Sequence, residues 1–246
     1  MNKEYVKQYA QLEREHWWFV VRQKIILYFL HKHVKTTGLR ILNIGAAGGA
    51  SSKWLGELGE VVSLETDILF LEQLRSAGID AIESSVISMP FADNSFDLVC
   101  AFDVIEHVED DNAALAEMNR VCRKQGLLCV TVPAFQSLWG NHDVVNRHFR
   151  RYTKSTLLNR LNNLAGTSLL EMAYFNSLLF VPVFFARKIS SLLPRRHKEE
   201  KADFTLFKTT GAGNKILKKI FSLELSILPK FKIPFGVSLL AVLKKN

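Results

Sequence analysis

ILNIGAAGG, residues 41–49, is the stretch whose reading decides the fold. A short apolar run, RILNIG (40–45), enters a tight turn of small residues, and AAGGASSKWLGEL then opens a helix. Small residues let the backbone approach a ligand closely, and the first turn of a helix offers free N–H groups. A strand hands a nucleotide-like group to a helix in this way. Alone, the turn is also compatible with a tight strand-to-helix connection that holds nothing. Asn43 stands where an acid would be expected, and Ala47 interrupts the glycines.

Working outward, strand and helix signals alternate. EVVSLETD (60–67) reads as a second strand, ILFLEQLRSAG (68–78) as a helix stopped by Gly78, IDAIESSV (79–86) as a third strand and SFDLVCAFDV (95–104) as a fourth. EDDNAALAEMNRVCRKQG (109–126) has acids in its first turn and bases in its last, the order that suits a helix dipole. LLCVTVPAF (127–135) is a fifth strand, KSTLLNRLNNLAG (154–166) a helix, SLLEMAYF (168–175) a sixth strand and GVSLLAVLKK (236–245) a seventh. Residues 3–34 read as helical, with no Gly or Pro before Gly38. The alternation predicts βαβ units in a parallel sheet covered on both faces. Ligands of such sheets sit beyond the carboxyl ends of the strands, where the strand order reverses.

Composition narrows the class. The 246 residues, 48% hydrophobic and 23% charged, suit one domain with a sizeable core. Cys100, Cys122 and Cys129 show no CxxC spacing and read as reduced, buried thiols of a cytoplasmic protein. The N-terminal MNKEYVKQYAQLEREHWW is charged and does not read as a signal peptide. The net charge of +8 is uneven. Residues 187–246 hold 14 Lys and Arg against 4 Asp and Glu, so the final quarter suggests an anionic partner.

VVSLETD places Glu65 at the end of the second strand, 20 residues after Gly45, where a carboxylate can accept from both hydroxyls of a ribose. Glu65 could instead cap the next helix, a task Asp67 can also fill. Turn and acid together suggest an adenosine cofactor without choosing between NAD and S-adenosylmethionine.

The choice comes from Met89-Pro90-Phe91, Ser95-Phe96-Asp97, Asp103-Val104-Ile105-Glu106-His107-Val108, Arg120-Val121-Cys122 and Thr131-Val132-Pro133. In that order they resemble the class I S-adenosylmethionine-dependent methyltransferases, in the ubiquinone-biosynthesis-like or type 11 small-molecule group. The resemblance runs over about 39–175. It implies a Rossmann-like, seven-stranded, mostly parallel sheet with helices on both faces and the last strand antiparallel. A single domain of 1–246 would then carry an N-terminal helical lid (1–37) and an apolar, basic helical cap (176–235) inserted between the last two strands.

For the cofactor, S-adenosyl-L-methionine, the resemblance implies Asn43, Gly45, Ala46, Ala47 and Gly49 at the methionine end and Glu65 at the ribose. It implies Thr66, Ser85 and Val86 near the adenine, and backbone at Phe102 and Asp103 past the sulfonium. Asn43, Ala47 and Ser85 depart from the family pattern. Each departure costs about 1 kcal/mol of binding or a little more, so the loop still works with affinity weaker by roughly tenfold or more. The (D/N)PPY signature of amino-methyltransferases on nucleic acid is absent, so nucleic acid is not the expected acceptor and an oxygen nucleophile is.

A general base would be a histidine near the methyl group, and the candidates are His107, His142 and His148. His142, Asp143 and His148 could also be metal ligands, but no third His or Cys completes a familiar spacing, and no metal is expected. Arg147, Arg150 and Arg151 in NRHFRRYT suit an anion on the substrate. They could equally pair with the acids at 109–111. Tyr152 and Trp18, from the lid stretch HWWF (16–19), complete the candidate substrate contacts, with core packing as the alternative for the tryptophans.

From Phe175 to Ala186 the chain is densely apolar but too short for a bilayer, which takes about 20 residues. Arg187, Lys188, Arg195, Arg196 and Lys198 follow, and KILKKIFSLELSILPKFKIPF (215–235) is again apolar with interspersed Lys. Two readings stay open. One is an interfacial surface over 175–235 that meets the inner face of a membrane and serves a lipid-like acceptor. The other is a cap packed on its own domain. A non-catalytic scaffold on the same fold is the rival to the enzyme.

Overall fold

The computed structural model describes residues 3–192 and 211–246. Their strands are β1 (Leu39–Ile44), β2 (Gly59–Glu65), β3 (Ala81–Glu83), β4 (Phe96–Phe102), β5 (Cys122–Pro133), β6 (Thr167–Phe175) and β7 (Ser238–Lys245). They form one sheet in the order β3-β2-β1-β4-β5-β7-β6. Strands β3 to β5 run parallel, whereas β7 is antiparallel to both β5 and β6. This is the Rossmann-like sheet the sequence implied.

Alternate residues of each central strand feed opposite cores, as the two-residue period of a strand requires. Leu42, Val99, Leu128 and Ala241 face one side, where α5 (Asp111–Val121) and α7 (Lys154–Leu161) cover them. Ile41, Cys100, Cys129 and Val242 face the other, under α2 (Trp17–His33) and the buried Trp54 of α3 (Ala50–Leu55). All three cysteines are free and buried.

Three boundaries differ from the sequence reading. The N-terminal helix is two helices, α1 (Lys3–Glu15) and α2, broken at His16. A break exposes backbone N–H groups. Asn214, on α9 (Ala212–Ser222), answers one: its Oδ1 accepts from Trp17 N at 2.8 Å while its Nδ2 donates to the Glu15 carbonyl. The helix expected to reach Gly126 ends at Val121, because Cys122 already pairs with Phe96 and Gln125 takes a positive φ. The third strand shrinks to three residues, since Ser85 turns back to bridge Ser88.

Between β6 and β7 lie α8 (Phe180–Leu192), α9 and α10 (Glu224–Ile227). Pro182 sits in the first turn of α8, where no intrahelical N–H is lost. The insertion is pinned at its root by Glu224, fully buried, whose carboxylate accepts from Asn176 N at 2.6 Å and Leu178 N at 2.8 Å. Arg187 turns inward, donating to the Leu138 carbonyl and lying 3.6 Å from Asp143, so it is not part of a basic outer face. Arg195, Arg196 and Lys198 lie outside the described residues.

Replacing Glu224 leaves the backbone donors of Asn176, buried, and Leu178 unanswered. Glu224→Ala should lower the unfolding free energy by about 2–4 kcal/mol, read from urea melts. A loss below about 0.5 kcal/mol would mean that the carboxylate does not anchor the insertion.

Candidate functional site

The strand order reverses at β1, which has β2 on one side and β4 on the other. Beyond their carboxyl ends opens a pocket of about 380 Å³. Gly45, Glu65, Thr66, Ser85 and Val86 form one wall, and Val104, His107, Val108, Glu109 and Phe149 the other. The volume lies in the range of small-molecule and cofactor sites.

Gly45 is needed where it stands. Its φ of 69° is left-handed, and an added Cβ would meet Val104 Cγ2 at 2.6 Å. Ala47 also takes a left-handed φ, 44°, which costs a Cβ-bearing residue energy that glycine would avoid. Its N–H donates to Glu65 Oε2 at 2.9 Å. Thr66 N and Asp67 N donate to Oε1, so the carboxylate ties the turn after β1 to the turn after β2. About four acceptor positions exist on a carboxylate, and these bonds leave one for a ligand hydroxyl. Asp67, not Glu65, caps α4 (Ile68–Ser76).

Other expected cofactor residues work one layer back. Asn43 is fully buried, donating to Ser51 Oγ at 2.8 Å and Ser52 Oγ at 2.9 Å, so it braces the turn. Ala46 packs among Leu71, Leu74 and Ala81. Gly49 makes room for Leu74 and Ile79. Phe102 lies 5.3 Å from the Trp54 ring. Asp103 pairs with Arg22 of α2 at 2.9 Å and accepts from Thr131 at 3.1 Å. None of these five lines the pocket.

The helices at 3–33 cover that end of the loop. A Cβ on Gly48 would meet Ala10 Cα and Glu13 Oε2, each at 2.6 Å. Glu13 Oε2 accepts from Ala50 N at 3.2 Å. Burial pushes the Glu13 carboxyl up to about 7 despite those N–H partners and Arg22. Glu13 was not singled out from sequence, and Arg22 stood out only as the arginine that closes HWWFVVR (16–22).

Across the pocket, the histidines gather. His107 and His148 stand perpendicular with ring centres 4.5 Å apart, and His142 lies 5.8 Å from His148. His107 is pushed down to about 4, by burial first and then by His148, so it is neutral at pH 7. His148 Nδ1 lies 2.9 Å from Asp143 Oδ1. Asp143, at the core of α6 (Asn141–Val145), is fully buried. Burial alone would raise its pKa, but His148 and Arg151 together hold it well below the usual carboxylate range.

That network claims the expected substrate contacts. Arg151 is buried, with Nε on Asp143 at 2.8 Å and a guanidinium N–H on the Ala134 carbonyl, so it cannot reach a substrate anion. Arg150 pairs with Asp111 at 3.0 Å and with the Glu109 carbonyl, the alternative the sequence left open. Tyr152 is a core residue whose hydroxyl donates to Asp111 at 2.9 Å. Trp18 stacks on Phe221 of α9 at 5.6 Å, between helices rather than over the cofactor crevice. Among the described residues, the three that come within ligand spacing are Glu106, His107 and His148, not His142, Asp143 and His148.

Residues 42–130 match the family profile of a methyltransferase domain. This segment is similar to a methyltransferase domain. The domain carries β1 to β4, most of β5 and every cofactor position discussed above. Over 96 residues, 38% of the chain, it is 38% identical to the demethylmenaquinone methyltransferase of Renibacterium salmoninarum, of which it covers 40%. Over 105 residues, again 38% of the chain, it is 32% identical to a Shewanella ubiquinone/menaquinone biosynthesis C-methyltransferase, of which it covers 42%. The chain thus spans about two-fifths of the length of the curated relatives it matches. A solved S-adenosylmethionine-dependent methyltransferase from Archaeoglobus fulgidus superposes with a TM-score of 0.59 over 97% of this chain and 99% of its own, at 15% identity; that likeness shows the fold. The cofactor of such domains is S-adenosylmethionine. The pocket fits its nucleoside end: a carboxylate with one acceptor position at the ribose place and Ser85 and Val86 beyond it.

A carboxyl whose folded pKa lies above its unfolded value stabilises the fold at low pH, and that contribution is lost as pH rises through the folded pKa. For Glu13 the window runs from the ordinary 4.5 to about 7. The melting temperature should therefore fall between about pH 4.5 and 7, and Glu13→Gln should flatten that slope. An unchanged slope in the variant would remove Glu13 as the cause.

Proposed function

We propose that this chain transfers the methyl group of S-adenosylmethionine to a small, quinone-type or lipid-like acceptor, at an oxygen. The single observation that carries the reading is the one pocket that joins Glu65 and Ser85 on one wall to His107 on the other. The cofactor supplies an activated methyl group. The protein holds the nucleoside, aligns the acceptor and keeps water away. Glu65 accepts from the ribose, Thr66, Ser85 and Val86 border the base, and the Glu106–His107–His148 group receives the acceptor hydroxyl. The relatives' names speak for a quinone-type ring, and one of them is a C-methyltransferase. Loss of a ring hydroxyl proton would activate oxygen and the adjacent ring carbon alike. The neutral His107 imidazole on the hydroxyl side favours oxygen, and carbon-13 labelling of the transferred methyl tells the two products apart.

A lipid-like acceptor is also supported by α8. Val181, Phe185 and Ile189 are exposed at four-residue spacing and so share one face, while Val183 and Phe184 pack inward. Ile216, Leu223 and Phe231 are exposed further along, amid Lys215, Lys218, Lys219, Lys230 and Lys232. No described helix is long and apolar enough to cross a membrane. Apolar and basic residues together suit peripheral binding to anionic lipid. This reading puts the protein at the cytoplasmic face of a membrane, where such an acceptor is dissolved. Phe185→Asp with Ile189→Asp should abolish flotation with phosphatidylglycerol vesicles; equal flotation of variant and wild type would argue against this face.

A non-catalytic scaffold is favoured by Ala47's strained φ and by the three N–H groups already held by Glu65. Calorimetry with S-adenosylmethionine and S-adenosylhomocysteine separates the readings. Saturable binding that weakens about tenfold or more in Glu65→Ala supports the enzyme. No heat up to millimolar ligand supports the scaffold.

A further inference from the structure

One ligand atom from each of Glu106, His107 and His148 lies within 4.8 Å of the other two. The first two residues are in the short turn after β4, and the third follows α6. Phe149 N donates to the Glu106 carbonyl at 2.8 Å, which clamps the two segments side by side.

Three features set the group apart from a chance cluster. Glu106 is fully buried, and neither carboxylate oxygen has a hydrogen-bond partner on any other described residue. A buried carboxylate so placed is costly unless a cation or proton answers it. His148 commits Nδ1 to Asp143, which leaves Nε2 as its free donor atom. His107 bonds through its ring to the backbone of Asn146, which leaves its other nitrogen. A carboxylate or carbonyl behind each imidazole is the support that metal-bound histidines have. Asp103, the other nearby acid, is held by Arg22 and Thr131 and takes no part.

We propose that Glu106, His107 and His148 bind one divalent ion of the zinc, manganese or iron(II) type, with a position open toward the pocket for an acceptor hydroxyl. Two imidazoles and one carboxylate suit these ions better than calcium or magnesium, which favour all-oxygen sites. His107 and Phe149 both line the pocket, so the ion stands beside the cofactor space. The chemistry of the ion rests on the methyl-transfer reading, but its binding does not. A hydroxyl on the ion releases its proton to solvent. The oxygen's electron pair then forms the O–CH₃ bond as the S–CH₃ bond breaks and its pair stays on sulfur. The products are the methyl ether and S-adenosylhomocysteine, with no change of oxidation state at the ion.

The test uses the full, tag-free chain stripped with chelator and then titrated with Zn²⁺, Mn²⁺ or Co²⁺. Calorimetry reads stoichiometry, and the Co²⁺ d–d spectrum reads ligand type. The expected result is one ion per chain, a spectrum of mixed nitrogen and oxygen ligands, and affinity lower by about tenfold or more in Glu106→Gln. His107→Ala, at a residue that lines the pocket rather than the core, is the second variant should Glu106→Gln fail to fold. No saturable uptake by the wild type, or equal uptake by both variants, overturns the site. S-adenosylhomocysteine binding is measured on the same samples. Metal bound without it would sink the methyl-transfer reading and leave the ion site standing; the reverse would remove only the ion.

Discussion

The parallel pairing of β1 with both β2 and β4 is the constraint on which everything else rests. Asn43 sits level with Ser63 on one side and Cys100 on the other, so three strand ends finish together. The chain leaves β1 toward α3 and leaves β4 in the opposite sense, which opens a crevice no side chain in the sheet can fill. Val104 pressed on Gly45 sets the width of that crevice, and Glu65 laces its two turns through backbone N–H groups.

Two sets of charges then close the crevice from either end. On one side the N-terminal helices bring Glu13 and Arg22 onto the loop after β1 and the segment after β4. On the other, Asp143 gathers Arg151, His148 and, through a longer contact, Arg187 of α8. Burying this carboxylate is favourable only because its lone pairs are all answered. One fully buried acid thereby aims the histidine loop and reaches α8. Glu106, a few residues from β4, is the buried acid left without such company.

Strand and helix alternation, the glycine turn and Glu65 were all readable locally, because each depends on residue period, on φ preference or on a spacing of about 20 residues. Asn43 is instructive. The sequence marked it as a departure from the family pattern, yet in the fold its role is to hold Ser51 and Ser52. Arg151 and Tyr152 looked like substrate contacts because the sequence does not say which acid, if any, a charged or phenolic group in a loop after β5 will meet. Their partners, Asp143 and Asp111, lie eight and 41 residues away.

By itself, then, the chain's order of residues determined the doubly covered sheet, the place of Glu65 at the end of β2 and the kinship of 42–130 with methyltransferase domains. Apolar period and short-range turn chemistry act within a few residues, and they survive being read along a line. Tertiary structure alone decided which cations are spent inside the protein, that His107 meets His148 and that Glu106 faces both without a partner. Those outcomes depend on burial and on charges brought together from distant segments, and an ion pair has no period to announce it.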